Sequence, residues 1–169
     1  MTPKDPHVSG WVPAFLPADD QLDRQAARLR SLPGHRIAET WTVWSLEHDE
    51  WFADLPVVLR LDDGPQLEVC WEQFDHLSIT WNTIDVAVTP RAWVEWPLEW
   101  RQAAHPALAA IADATVDEVA ATSSRFAAEN AVGTRATWLT TGLWLKTSRG
   151  DLHIFNALDE NGLATHRPR

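Results

Sequence analysis

A chain of 169 residues, 45% hydrophobic and 22% charged, is long enough for one domain with its own core and too short for two. Its 24 acidic against 14 basic residues leave a net charge of −10, which repels phosphates and argues against a nucleic-acid partner. A single cysteine, Cys70, excludes an intrachain disulfide and a thiol-rich metal site, so nothing calls for an oxidising compartment.

Residues 1–18 read as an extended proline-rich arm, with Pro3, Pro6, Pro13 and Pro17 breaking regular structure and Trp11 and Phe15 available to pin it. The polar start is unlike a secretory signal, and the longest uncharged apolar run, Ala107 to Ala112, is far short of the ~20 residues that cross a bilayer. A cytoplasmic location without membrane contact is expected. Residues 19–169 then read as a single α+β domain. Asp19 or Asp20 caps a helix carrying Leu22, Ala26 and Leu29 at helical spacing, with Arg28 and Arg30 at its end and Pro33-Gly34 as its stop.

Strands follow. Val57, Leu59 and Leu61 lead through Asp62-Asp63-Gly64 into Leu67, Val69 and Trp71, alternating with Glu68, Cys70 and Glu72, which predicts a hairpin with one dry face. Leu77, Ile79 and Trp81 make a third strand. The apolar parity then flips to Ile84, Val86 and Val88, which requires a bulge or bend near Asn82-Thr83. Pro97 in a first-turn position predicts a helix through Leu98, Trp100 and Arg101 to Ala104, interrupted at His105-Pro106 and resumed towards Ile111. Trp138 to Lys146 and Leu152 to Asn156 make a second hairpin around Thr147-Ser148-Arg149-Gly150-Asp151.

The two hairpins invite comparison as half-repeats, 32–88 and 111–165. Leu32-x4-Ile37-x-Glu39 matches Ile111-x4-Val116-x-Glu118 without a gap, and Leu59-Arg60-Leu61 is set against Leu143-Trp144-Leu145. With a slip in the turn, Leu67-Glu68-Val69 falls on Leu152-His153-Ile154, and with another Asp75 falls on Asp159. The expected architecture is therefore α+β: antiparallel hairpins from two duplicated halves sharing one core, with one or two helices on the sheet.

The 11 tryptophans stand beside no tyrosine and twelve arginines against two lysines, the skew of a G+C-rich, bacterial-type coding sequence. Each is first a large core filler with an indole N–H to satisfy. The polar candidates lie at strand ends, where a rigid sheet presents loop residues to a ligand: Asp75, His76, Asn82, Asp85, Asn156, Asp159 and Glu160. Asn161-Gly162 is a turn dipeptide, and the stretch before it lacks the alternating oxygen ligands of a calcium loop. His48-Asp49-Glu50 offers metal-ligating side chains, but neighbours in an extended segment point to opposite faces and cannot close a shell. No phosphate loop, nucleophile elbow or Cys-His pairing is present, so no cofactor, metal or catalytic residue is expected. The reading is an acidic, non-enzymatic protein-binding domain, with an immunity-type inhibitor of a basic partner as one concrete form. The alternative is a small-molecule or carbohydrate binder, or a hydrolase, with a Trp/Asp/Asn-lined pocket between the halves; a homodimer is a third arrangement.

Overall fold

Period-two runs of branched and aromatic residues make most of the elements, and the computed structural model describes them over residues 7–168. The chain is mainly antiparallel β-sheet with two short helices, broadly α+β. In order it forms β1 (Leu16–Pro17), α1 (Ala18–Arg30), β2 (Ile37–Ser45), β3 (Glu50–Trp51), β4 (Val57–Leu61), β5 (Gln66–Glu72), β6 (His76–Trp81), β7 (Leu98–Gln102), α2 (Pro106–Ala109), β8 (Val116–Asn130), β9 (Gly133–Thr147), β10 (Gly150–Asn156) and β11 (Asn161–Ala164). The first sheet runs β1-β6-β5-β4-β2-β3, with β7 also on β2; the second runs β11-β10-β9-β8. Among the described residues no helix is long and apolar enough to cross a membrane.

The sheets share one core. Leu67, Val69, Trp71, Leu77 and Ile79 of the first pack with Leu143, Leu145, Leu152 and Ile154 of the second, and Leu29 of α1 and Leu108 of α2 close the edges. Fully burying each such side chain contributes ~1.5–3 kcal/mol. The first sheet is also covered on its other face. There Cys70, Val58, Val43 and Leu98 meet Val8, Trp11, Phe52 and Ile84. The expectation of one dry face on the β4–β5 hairpin is therefore corrected: Glu68 is only 1% exposed.

A buried carboxylate must be satisfied, and Glu68 is. It accepts from Gln66 Nε2 (2.7 Å), Thr80 Oγ1 (2.8 Å), Thr83 Oγ1 (2.6 Å) and the backbone N–H groups of Thr83 and Ile84 (3.0 and 2.7 Å). This clamp makes the bend expected near Asn82-Thr83, where Asn82 takes a left-handed φ of 59°. Ile84, Val86 and Val88 continue no strand. They belong to a loop that folds over the second face of the sheet, with Ile84 buried in it.

Residues 1–6 of the expected arm lie outside the described residues, while residues 7–17 lie along the sheet, with Val8 and Trp11 buried. Helix α1 begins at Ala18 after Pro17, one residue before the expected caps, so Asp19 and Asp20 sit in its first turn and favour its positive end. The helix predicted from Pro97 to Ala104 is overturned. Leu98–Gln102 is strand β7, pairing Leu98 with Ser45 and Gln102 with Trp41, and the helix that exists is the single turn α2, capped by His105 Nδ1 accepting from Ala107 N–H. A proline that suits the first turn of a helix suits the entry to a strand equally well when an open sheet edge is there to pair with the next residues.

One element was absent from the sequence reading. Strands β8 and β9 pair over their whole length, from Val116 opposite Thr147 to Asn130 opposite Gly133, whereas β10 pairs β9 only from Gly142 onward. The segment 123–140 thus leaves the sheet as a two-stranded arm.

Candidate functional site

The loop from Leu46 to Asp54 and the β10–β11 turn face one another across the junction of the two sheets. Buried Asn161 fixes them. Its side-chain amide donates to the carbonyls of Ala53 and Leu55 (3.0 Å each), its Oδ1 accepts from Trp71 N–H (2.8 Å), and its own N–H donates to Ala53 O (3.0 Å). Gly162 lets the turn close, because a Cβ there would lie 2.3 Å from the Phe155 ring.

Between them opens a cleft of about 610 Å³, walled by Trp51, Trp96, Phe52 and Phe155 and carrying the carboxylates of Glu50, Asp54 and Glu160. Trp96 is held by a tight turn in which Trp93 and Trp96 exchange backbone hydrogen bonds (3.0 and 2.8 Å) around Val94 at φ 56°. Its indole meets the His48 ring edge to face at 4.6 Å, and Trp51 meets His105 likewise at 4.9 Å. Among the described residues no lysine or arginine lines this cleft. Its walls can stack on a flat or cationic group and its rim can pair a positive charge.

The residues singled out from the sequence fall into three places. Asn156, Asp159, Asp75 and His76 meet where the β5–β6 and β10–β11 turns touch. The Asn156 amide donates to the carbonyls of Gln73 and Phe74 (3.1 Å each), and Asp159 Oδ1 accepts from Gln73 N–H. Asp75 Oδ1 lies 3.0 Å from His76 Nδ1. Glu160 is one residue further on and lines the cleft. Asn82 and Asp85 lie at the far end of the six-residue strand β6, about 20 Å away, and bond to backbone: Asn82 Oδ1 accepts from Gln66 N–H (2.8 Å) and Asp85 Oδ1 from Ala87 N–H (2.9 Å). The structure brings five of the seven to one end of the molecule and leaves two at the other.

The triplet His48-Asp49-Glu50 is not the extended segment expected: residues 46–49 form a turn with Asp49 at φ 50°, and the turn, not strand alternation, splits the three side chains. Asp49 accepts from Trp44 Nε1 (3.1 Å) and lies 3.4 Å from Arg101, while His48 and Glu50 face the cleft. Sequence reasoning missed Trp96 and Asp54 as cleft residues. They come from distant segments, and no local spacing links them.

Two further polar groups are built into the molecule. His153, on β10, is buried and shares a 2.7 Å hydrogen bond with Thr122 Oγ1; burial, helped by the nearby His166, pushes its pKa down to about 4. Gly142 makes room for it, since a Cβ there would lie 2.1 Å from His153 Nε2. At the β4–β5 turn His35, Asp62 and Asp63 gather their ligand atoms within 4.8 Å, but His35 is engaged by Asp63 at 2.7 Å, and Arg36 lies 3.8 Å from Asp62.

Compared with known proteins, the chain matches no family model, no curated protein and no solved structure.

Proposed function

We propose that this protein is a non-enzymatic binding domain that receives a cationic group, carried by a basic protein, in the cleft between its sheets. The observation that carries the reading is the lining of that cleft, where indole walls and carboxylates stand together and the described lysines and arginines lie elsewhere. An arginine or lysine side chain entering it would lie over Trp51 or Trp96 and pair with Glu50, a combination worth more in a partly desolvated cleft than on an open surface. The net charge of −10 adds long-range attraction for a basic partner and speeds encounter. An inhibitor that blocks a basic enzyme is one form such a domain takes.

A second reading, a neutral small molecule or sugar stacked between the rings, is favoured by the same aromatic walls and by the position of the cleft between the sheets. Salt separates the two. Titration with a short arginine-rich peptide, followed by tryptophan fluorescence, should show binding that weakens as the Debye length falls from ~10 Å at 0.1 M to ~3 Å at 1 M salt, and that Glu50→Gln and Trp96→Ala each reduce. Binding of a neutral oligosaccharide that ignores salt supports the second reading. Binding of neither probe overturns both.

We also infer that the sheets descend from one duplicated unit. In its support, β2-β4-β5-β6 and β8-β9-β10-β11 are both antiparallel meanders, each with a register shift at the same place, Ile37/Glu39 and Val116/Glu118. The hydrogen bonds at the junction repeat under exchange of the halves. Gly34 N–H donates to Val116 O as Asp113 N–H does to Ile37 O, and Asp62 N–H donates to Arg36 O as Ser148 N–H does to Thr115 O. Arg36 bridges Thr115, its own counterpart. The ladder sets Leu59-Arg60-Leu61 against Leu145-Lys146-Thr147, two residues on from the match made on sequence, and keeps Leu67 against Leu152. One rotation should superpose the two meanders; separate rotations for different strand pairs would count against common descent.

A further inference from the structure

The arm 123–140 carries two open backbone edges. Along it β8 and β9 pair with each other, and among the described residues no third strand flanks either one. A lone two-stranded ribbon is marginally stable in water, and an open edge presents a row of unmade hydrogen bonds. The usual protections of such an edge, proline, lysine or a bulge, are missing between Ser124 and Asn130. The arm also exposes Trp138 and Val132, at 68% and 96%.

We infer that the outer edge of β8 from Arg125 to Glu129 is a self-pairing surface, by which two copies of this chain join antiparallel, β8 against β8, about a two-fold axis at Ala127. In that register Arg125 stands opposite the second copy's Glu129, and Glu129 opposite its Arg125, so one strand supplies both halves of two identical ion pairs. Side chains alternate, so Phe126, whose ring rests on Phe74 of its own copy (5.1 Å), stands opposite the second copy's Ala128, whose methyl group adds no crowding. The axis passes between two alanines. This is the self-complementarity a two-fold interface demands. The outer edge of β9 lacks it: its charged residue on the arm, Arg135, has no acidic counterpart on that strand's arm segment.

Charge distribution permits contact between copies here. The segment 123–140 carries Arg125, Glu129 and Arg135, a net +1, while the remainder of the chain carries −11. Two copies approaching body to body repel; approaching by their arms, they bring together a stretch of sheet that is not acidic. The result would be a continuous four-stranded ribbon, β9-β8-β8-β9, with the clefts of the two copies held apart at its ends.

The test is sedimentation velocity of the full chain over a dilution series, with Arg125→Glu, Glu129→Arg and the double reversal. Arg125 and Glu129 lie about 13 Å apart along one strand, too far to pair within a copy. Wild type should form a dimer that dissociates on dilution. Each single reversal sets like charges opposite one another at both symmetric positions and should weaken the dimer about tenfold or more, and the double reversal should restore it to within about threefold of wild type. A wild-type chain that stays monomeric at every concentration overturns the proposal. So does a double reversal no tighter than the singles, since damage to the arm alone would not be repaired by a second charge change.

Discussion

The first sheet and the second differ in what lies against them. Strand β5 is buried on both faces, with the other sheet on one side and the loop after β6 on the other, and its polar residue there, Glu68, is saturated with donors. Strands β8 and β9 share the same core through Val116, Leu143 and Leu145, and at their other ends run beyond it, with Phe126 resting on Phe74 (5.1 Å) and most of the arm exposed. The comparison teaches that the position of a residue along a strand says little about its energetic weight. What counts is how many layers pack on it, and hence whether a polar group or a void left by mutation is exposed to water or trapped.

The sharpest way to break the contrast is Glu68→Ala. It strips the acceptor from two backbone N–H groups, two hydroxyls and the Gln66 amide, all inside the protein, and should cost ~3–5 kcal/mol in chemical denaturation. Asn161→Ala comes next. It leaves the carbonyls of Ala53 and Leu55 and the N–H of Trp71 short of partners and should cost about 2–4 kcal/mol, with loss of cleft binding as the loop comes free.

The third effect depends on pH. Because the folded pKa of His153, about 4, lies below the ~6.5 of an unfolded chain, the unfolded state binds the proton more readily. The stability associated with neutral His153 is fully present above pH ~6.5 and is lost as pH falls towards 4, a change of about 2–3 kcal/mol. His153→Gln should flatten that part of the profile, read as the difference between the two proteins over pH 4–7. The smallest effect belongs to the arm: Trp138→Ser, at a position 68% exposed, should move stability measured at dilutions that keep the chain monomeric by no more than about 0.5 kcal/mol. A loss of 2 kcal/mol there would show that the Trp138 face of the arm is covered.

Much of the strand framework was legible, because β4, β5, β6, β9 and β10 carry period-two apolar runs around turn residues with left-handed φ, such as Gly64 and Gly150. Strand β7 was not. Leu98-Glu99-Trp100-Arg101-Gln102 owes its extended form to the open side of β2, a cause lying more than fifty residues away in sequence. The arm was illegible for another reason: in Ser124-Arg125-Phe126-Ala127-Ala128-Glu129 only Ser124 and Phe126 are half-buried, and one large apolar side chain among small and charged ones makes no alternation to see. At the site, the β10–β11 turn that carries Glu160 could be read from its own residues. Trp96 reaches the cleft by way of a turn at Val94 whose left-handed φ no β-branched residue advertises. Glu68, set among alternating apolar residues, looked solvent-facing because a second covering layer leaves no mark on the strand it covers.

The most direct test of the cleft as the binding site uses the tryptophans themselves. Each indole N–H gives its own signal in a nitrogen–proton correlation spectrum, and Trp51 and Trp96 line the cleft while Trp138 stands on the arm. On titration with an arginine-rich peptide, the signals of Trp51 and Trp96 should move together in a saturable way while that of Trp138 stays in place. A Trp138 signal that shifts while those two hold still would put the contact on the arm and contradict the account.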